Sequence, residues 1–187
     1  MTTAISKVTI HMVSSLDGII AKTDNSVSWF ETSSYYEKGV VGENVEEFLK
    51  TIDCYVMGAR TYEHALELSK SYGWPYGTVP TIVISHRDMP IERENIELYS
   101  GDLEKLVSEK LNPNYKNVWV VGGANLANEF IRLKLADEIR MVVLPIILNG
   151  SIHFFEEIGQ EQALHLKDVL AYKSGMVELY YEIRKEG

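Results

Sequence analysis

Two glycine turns hold the residues of this sequence that are best suited to bind an anionic ligand. The first is Gly58-Ala59-Arg60-Thr61, which follows an apolar run, and the second is Val121-Gly122-Gly123-Ala124-Asn125-Leu126, which follows another. In both places the pattern predicts a buried strand, a tight turn and the start of a helix. Glycine lets a ligand approach the backbone closely, and the free N–H groups at the start of a helix favour a phosphate.

Together the two turns predict a dinucleotide site. Each turn alone is compatible with a plain tight connection, but ligands of open α/β sheets bind beyond the carboxyl ends of strands, where both turns lie. Arg60 adds a cation to the first turn, and a third strand end supplies Ser85, His86 and Arg87. The sequence lacks both the Gly-x-Gly-x-x-Gly fingerprint after its first strand and a Walker A lysine motif, so neither of those binding modes is expected.

The elements that must position these turns alternate between strand and helix, which predicts a parallel sheet with helices on both faces. The expected fold is a single three-layer α/β/α domain over residues 1–187, with a central mixed, mostly parallel sheet and a C-terminal antiparallel hairpin. The predicted elements include a first strand at Lys7–Met12, a strand at Thr81–Ser85, a helix at Leu103–Leu111, and hairpin arms at Leu164–Tyr172 and Met176–Arg184. A long polar loop rich in aromatic residues is expected from Ser14 to Asn44.

Charge and composition exclude several classes of protein. The formal net charge of -9 argues against a general binder of nucleic acid or of anionic membranes, because both need a basic surface. Cys54 is the only cysteine, and the five histidines are scattered without the spacing of metal ligands. No signal peptide and no apolar run of roughly 18 residues is found. We therefore expect a cytoplasmic protein with no metal, no nucleic-acid partner and no membrane partner.

At its strand ends the chain resembles the dihydrofolate reductase superfamily, and most closely the reductase domain of bacterial riboflavin biosynthesis. The resemblance extends over nearly the whole chain. It is carried, in the family's order, by Ser15–Ala21, Met57–Glu63, Val83–Arg87, Val120–Leu126, Leu135–Pro145 and Gly150–Phe154. It implies the fold described above, NADPH as the cofactor and hydride transfer as the reaction.

The resemblance also implies a role for each cofactor residue. Gly58, Ala59, Arg60 and Thr61 would lie at the cofactor pyrophosphate, while Ser85, His86 and Arg87 would face the adenine ribose. The turn from Val121 through Gly122, Gly123, Ala124 and Asn125 to Leu126 would carry the pyrophosphate and the nicotinamide side. Val13, Ile20 and Ala21 would border the nicotinamide.

Two departures from the family pattern bear on specificity. Ala59 stands where the family often has an arginine that holds the 2′-phosphate of NADPH, and Arg60 or Arg87 could grip that phosphate instead. Val142 stands where dihydrofolate reductases place a threonine, and no pterin-binding carboxylate aligns. The resemblance thus implies a substrate like 5-amino-6-(5-phosphoribosylamino)uracil, or another small pyrimidine- or pterin-like molecule, rather than dihydrofolate.

The candidates for contact with the substrate are Asp17, Glu43 and Trp29. Asp17 and Glu43 could manage the proton that accompanies hydride transfer. Asp17 is equally suited to holding an Asp-Gly turn. A glutamate at the start of a helix more often compensates the helix dipole, and this interpretation is favoured for Glu43. Trp29 could form a wall for an aromatic substrate together with Tyr35 and Tyr36, although a packed loop cluster explains these residues nearly as well.

Two functions remain open at this point. One is an NADPH-dependent reductase, and the other is a non-catalytic NADP(H)-binding or sensing protein of the same fold. A homodimer is expected, because members of the riboflavin branch usually pair. The apolar run Met141–Leu148 is the predicted part of that contact.

Overall fold

The computed structural model describes residues 5–24, 26, 29, 43–150, 152–155, 158–172 and 174–185, and for residues 43–46 the backbone alone. Its strands are β1 (Lys7–Ser15), β2 (Ile19–Ala21), β3 (Cys54–Gly58), β4 (Thr81–Ile84), β5 (Ile96–Tyr99), β6 (Asn117–Gly122), β7 (Glu138–Leu144), β8 (Ile152–His153), β9 (Leu164–Ala171) and β10 (Val177–Ile183). Its helices are α1 (Glu43–Thr51), α2 (Ala59–Tyr72), α3 (Leu103–Lys105), a π-helical turn (Leu106–Leu111), α4 (Asn112–Asn114) and α5 (Ala124–Arg132).

One large sheet has the strand order β5-β4-β3-β6-β1-β7-β10-β9. The pairs from β5 to β7 are all parallel, and β10 is antiparallel to both of its neighbours. The predicted mixed, mostly parallel sheet with a closing antiparallel hairpin is therefore confirmed. The segment predicted to be a loop from Ser14 onward differs in part, because β1 continues to Ser15 and β2 pairs with β8 in a small antiparallel sheet.

The alternation of side chains along the central strands explains the three layers. In β3, Cys54 and Val56 belong to one buried cluster, while Tyr55 and Met57 belong to another. The first cluster includes residues of the π-helical turn and α5, and the second includes residues of α1 and α2. Since successive side chains of a strand point to opposite faces, these helices cover the two faces of the sheet.

The parallel direction of the strands determines where a site can form. The strands β1, β3, β4, β5 and β6 all end at the same edge of the sheet, because each is parallel to its neighbour. Each glycine turn begins where a strand ends, β3 at Gly58 and β6 at Gly122. The two turns are therefore next to each other, although 63 residues, from 59 to 121, separate Gly58 from Gly122 in the sequence.

Candidate functional site

The two predicted glycine turns meet in space. A Cβ atom built on Gly58 would lie 3.7 Å from both the carbonyl oxygen of Gly122 and the nitrogen of Gly123. A Cβ atom on Gly123 would lie 3.7 Å from the hydroxyl oxygen of Thr61. These are ordinary van der Waals distances, so the backbones of the two turns form one continuous surface at the carboxyl ends of β3 and β6.

Gly122 occupies a position that only glycine fits without strain. Its φ is +122°, and a Cβ atom there would lie 2.9 Å from the Sδ atom of Met12. The peptide bond between Gly122 and Gly123 is cis. The positive φ and the close packing against β1 therefore both favour glycine over any other residue at position 122.

Both turns lead directly into helices whose first turns contain no negatively charged side chain. Gly58 precedes α2 and Gly123 precedes α5, and at neither position does a side chain cap the helix by a hydrogen bond. Neither helix has an acidic residue in its first turn. The N–H groups and the positive ends of two helix dipoles are therefore available to an anion at one place in the fold.

A cleft of about 1800 Å³ opens at this edge of the sheet and includes most of the predicted cofactor residues. The predicted residues that line it are Val13, Ile20, Ala21, Gly58, Ala59, Arg60, Thr61, His86, Val121, Gly123, Ala124, Asn125 and Leu126. The predicted residues that do not line it are Ser85, Arg87 and Gly122. A cleft of this size, with a glycine surface and two helix N-termini, fits the diphosphate of a dinucleotide.

The strand end at Ser85 is arranged differently from the prediction. The Ser85 hydroxyl donates a hydrogen bond to the Arg87 carbonyl at 2.8 Å and accepts one from the Arg87 N–H at 3.2 Å. The Arg87 guanidinium forms an ion pair with Glu63, with 2.7 Å between Nη2 and Oε1. These groups hold the turn after β4 together, and of the three predicted residues only His86 lines the cleft.

Asp17 supports a loop and lies outside the cleft lining. Its carboxylate accepts hydrogen bonds from the Ser15 hydroxyl at 2.6 Å and from the N–H groups of Leu148 and Asn149 at 3.2 and 3.0 Å. The hydrogen bond from Ser15, together with those from the backbone, lowers the pKa of Asp17. The geometry favours the structural alternative, in which Asp17 holds a turn, over a role in handling a substrate proton.

Of the other two substrate candidates, only Trp29 has a side chain within the described part of the chain. Trp29 is buried and is absent from the cleft lining. Glu43 is the first residue of α1, and its side chain lies outside the described part of the chain. Tyr35 and Tyr36 also lie outside the described residues.

Sequence reasoning missed an aromatic wall around His11 on β1. His11 lines the cleft with Trp119 and Tyr76, and its ring centre lies 4.8 Å from that of Trp119 and 5.5 Å from that of Phe48. Both imidazole nitrogens are buried without a hydrogen-bond partner. Burial, and secondarily the charge of Arg140, lowers the pKa of His11 to about 4, so the ring is neutral at pH 7.

A second cavity of about 340 Å³ lies beside Arg140, whose guanidinium stacks on two rings and pairs with a carboxylate. The Arg140 guanidinium lies 4.4 Å from the ring centre of Phe48 and 4.2 Å from that of Tyr180. It donates to Glu178 at 3.3 Å, and the Tyr172 hydroxyl donates to the other oxygen of the same carboxylate at 3.0 Å. This cluster stabilises the packing of α1 on β7 and β10 and leaves the large cleft as the candidate site.

The described part of the chain contains neither a metal-binding cluster nor a membrane-spanning helix. No group of three or more His, Cys, Asp or Glu residues is placed there to hold a metal ion. Among the same residues, no helix is both long and apolar enough to span a membrane. Burial raises the pKa of the Cys54 thiol to about 12, which agrees with its position inside β3.

The sheet order and the cleft at its carboxyl edge define the class of protein, an α/β domain of the dihydrofolate reductase-like fold. The sequence then gives the family. Residues 6–178 match the model of the RibD C-terminal domain, and the chain belongs to that family. It is therefore a RibD-type, reductase-like domain, as the resemblance implied.

Comparison with individual proteins agrees with this assignment. The chain is 27% identical to the uncharacterized protein YwjB of Bacillus subtilis over 175 residues, which cover 94% of this chain and 97% of the relative. It is 34% identical over 102 residues to the 2,5-diamino-6-ribosylamino-4(3H)-pyrimidinone 5′-phosphate reductase of Aquifex aeolicus, which covers 49% of this chain and 45% of that protein. A structure of a proposed riboflavin biosynthesis protein from Shewanella sp. PV-4 superimposes with a TM-score of 0.82 at 20% identity, covering 96% of this chain and 99% of the other.

Proposed function

We propose that this chain is an NADPH-dependent reductase that acts on a small pyrimidine-type substrate such as 5-amino-6-(5-phosphoribosylamino)uracil. The observation that carries the proposal is the meeting of two uncapped helix N-termini on one glycine surface inside the cleft. Membership of the RibD C-terminal domain family supports the reaction class. The Aquifex aeolicus relative, named as a reductase of a ribosylaminopyrimidinone phosphate, supports the substrate class.

In this proposal the chain binds and orients the cofactor through its own backbone and apolar groups. The turns at Gly58 and Gly123 hold the diphosphate through N–H groups at the starts of α2 and α5. Val13, Ile20 and Ala21 line the cleft at the β1 side, where they exclude water from the nicotinamide. When bound, NADPH supplies the hydride, while the protein supplies positioning.

The two arginines at the adenine end of the cleft have different surroundings, which suit them to different roles. Arg60 lines the cleft and has no ion pair with any described residue, so its guanidinium is available to the 2′-phosphate. Arg87 is held by Glu63 and does not line the cleft. Of the two arginines that could compensate for Ala59, we therefore assign the contact with the 2′-phosphate to Arg60, and Arg87 can contribute only when its pair with Glu63 opens.

One observation favours the non-catalytic alternative. Each carboxylate that lines the cleft among the described residues already has a partner. Glu63 is paired with Arg87, Glu129 with Arg132, and Asp102 accepts from the N–H of Lys105. In the reductase, the proton for the product then comes from solvent or from a group other than these three carboxylates.

Titration of the protein with NADPH and NADH separates the two functions. Because Trp119 lines the cleft, we expect both nucleotides to quench tryptophan fluorescence. The reductase then oxidises NADPH in the presence of an aminopyrimidine ribosyl phosphate, which a loss of NADPH absorbance records. Binding without oxidation across a panel of such substrates favours the sensor, and failure of both nucleotides to bind at millimolar concentration contradicts both functions.

We also propose that two copies of the chain pair through β9. This strand is at the edge of the large sheet, and its exposed side chains include Leu164, Leu166 and Val169. A long edge strand with exposed apolar side chains is a template for pairing with another chain. The expected contact through Met141–Leu148 stays a prediction, and it would use side chains, because the backbone of β7 is already paired with β1 and β10.

A further inference from the structure

Glu63 places a negative charge in the corner of the cleft that would hold the adenine ribose. It belongs to the second turn of α2, after the glycine turn at Gly58, and it lines the cleft together with Arg60 and His86. Its carboxylate pairs with Arg87, and both side chains remain about half exposed, at 46% and 59%. A ligand that reaches this corner therefore meets a carboxylate that holds an arginine outside the cleft lining.

The pair affects the two nicotinamide cofactors differently. The 2′-phosphate of NADPH is an anion, so Glu63 repels it and also occupies the guanidinium that could bind it. NADH has a ribose hydroxyl at the same position, and a carboxylate at the end of a neighbouring strand or helix accepts a hydrogen bond from such a hydroxyl in many dinucleotide sites. Glu63 thus weakens the binding of NADPH and is compatible with the binding of NADH.

We infer that Glu63 is a specificity-determining residue that weakens the preference of this chain for NADPH over NADH. The inference rests on the proposed function, because it assumes that the cleft binds a nicotinamide dinucleotide with its diphosphate on the glycine turns. Arg60 supplies the attraction for the 2′-phosphate, and Glu63 sets a limit on it by restraining Arg87. The relative affinity for the two cofactors follows from the balance of these three side chains.

Replacing Glu63 by glutamine tests this role, and replacing Glu67 by glutamine is the matched control. Glu67 carries the same charge on the same helix, pairs with Lys70 and does not line the cleft. The probes are adenosine 2′,5′-bisphosphate and adenosine 5′-monophosphate, measured by calorimetric titration with NADPH and NADH alongside. These probes contain only the adenine ribose end, so the measurement does not depend on catalysis.

We expect the E63Q variant to bind adenosine 2′,5′-bisphosphate roughly fivefold more tightly than the wild type, as one exposed charge pair is released and one repulsion is removed. Binding of the monophosphate should change by less than about twofold, on the same scale of affinities. The gain should shrink when Arg87 is also replaced by alanine, because the freed guanidinium is then absent and only the removed repulsion remains. In the E67Q variant the ratio of the two affinities should equal that of the wild type.

Two results would overturn the inference. The first is an unchanged ratio in the E63Q variant, and the second is an equal change in the E67Q variant, which would show a general effect of charge. The proposed function fails separately, if wild-type protein binds neither NADPH nor NADH. Tight binding of both nucleotides with no effect of E63Q would leave the proposed function intact and reject only the role of Glu63.

Discussion

Replacing His11 by leucine should remove a large part of the acid sensitivity of this fold. His11 is buried between Phe48 and Trp119, with both nitrogens unpartnered. Burial, and secondarily the charge of Arg140, lowers its pKa from 6.5 to about 4 in the folded protein. As the pH falls below 6.5, the unfolded chain binds a proton at this imidazole, and the folded chain does not. The free energy of unfolding therefore decreases with falling pH.

The two pKa values determine the size of the effect. Between pH 7 and pH 5 they correspond to a loss of about 2 kcal/mol in the free energy of unfolding, and the loss continues until the pH reaches the folded pKa near 4. The H11L variant has no group to titrate at this position and should lack this part of the loss. The difference between wild type and variant in the free energy of unfolding should therefore shift by about 2 kcal/mol over this range.

Urea unfolding at pH 7 and pH 5, without added nucleotide, measures this difference. A second variant, H11N, keeps a polar group at the position but cannot titrate, so it should behave like H11L in its pH dependence. Parallel losses of stability in wild type and both variants would refute the reasoning, because they would show that His11 is charged, or equally free to titrate, in the folded state.

Three further substitutions test the site and its surroundings. The G122A variant should lose about 1 to 3 kcal/mol of stability and bind NADPH at least about tenfold more weakly. The control is G159A, because Gly159 also has a positive φ but a Cβ there would have nothing within 4 Å, so this variant should keep the wild-type affinity. Equal affinities of the two variants in thermal-shift titrations would contradict this prediction. The D17N variant should lose about 1 to 2 kcal/mol in its free energy of unfolding, measured with urea, because three hydrogen bonds weaken. A lower rate of hydride transfer without this loss of stability would instead support a role for Asp17 in proton transfer. The V169K variant should be monomeric by light scattering, and an unchanged dimer would exclude β9 as the contact.

The sequence was sufficient to predict the glycine turns because their signal is local. A buried strand, a glycine and a helix start follow one another at Gly58 and again at Gly122, and the parallel direction of β3 and β6 brings the turns together. The alternation of apolar residues was likewise enough to predict the sheet and its closing hairpin. These features depend on neighbours in the sequence, where periodicity is informative.

Contacts between distant segments decided the points that the sequence left open. Asp17 meets Leu148 and Asn149, more than 130 residues away, because the chain leaves β1 and β7 side by side, where Ser15 pairs with Leu144. The pairing of Arg87 with Glu63 likewise joins the turn after β4 to α2. Such partners have no signature in the spacing of a single sequence, so the structural and the chemical interpretations of Asp17 and Arg87 could not be separated beforehand.

A crystal structure of this protein grown with NADP⁺ would test the central claim most directly. We predict that the diphosphate lies on the surface formed by Gly58 and Gly123, at the starts of α2 and α5, with the nicotinamide beside Val13 and Ala21. Arg60 should contact the 2′-phosphate. Density for the dinucleotide elsewhere on the protein, or a cleft that stays empty at millimolar NADP⁺, would contradict the account.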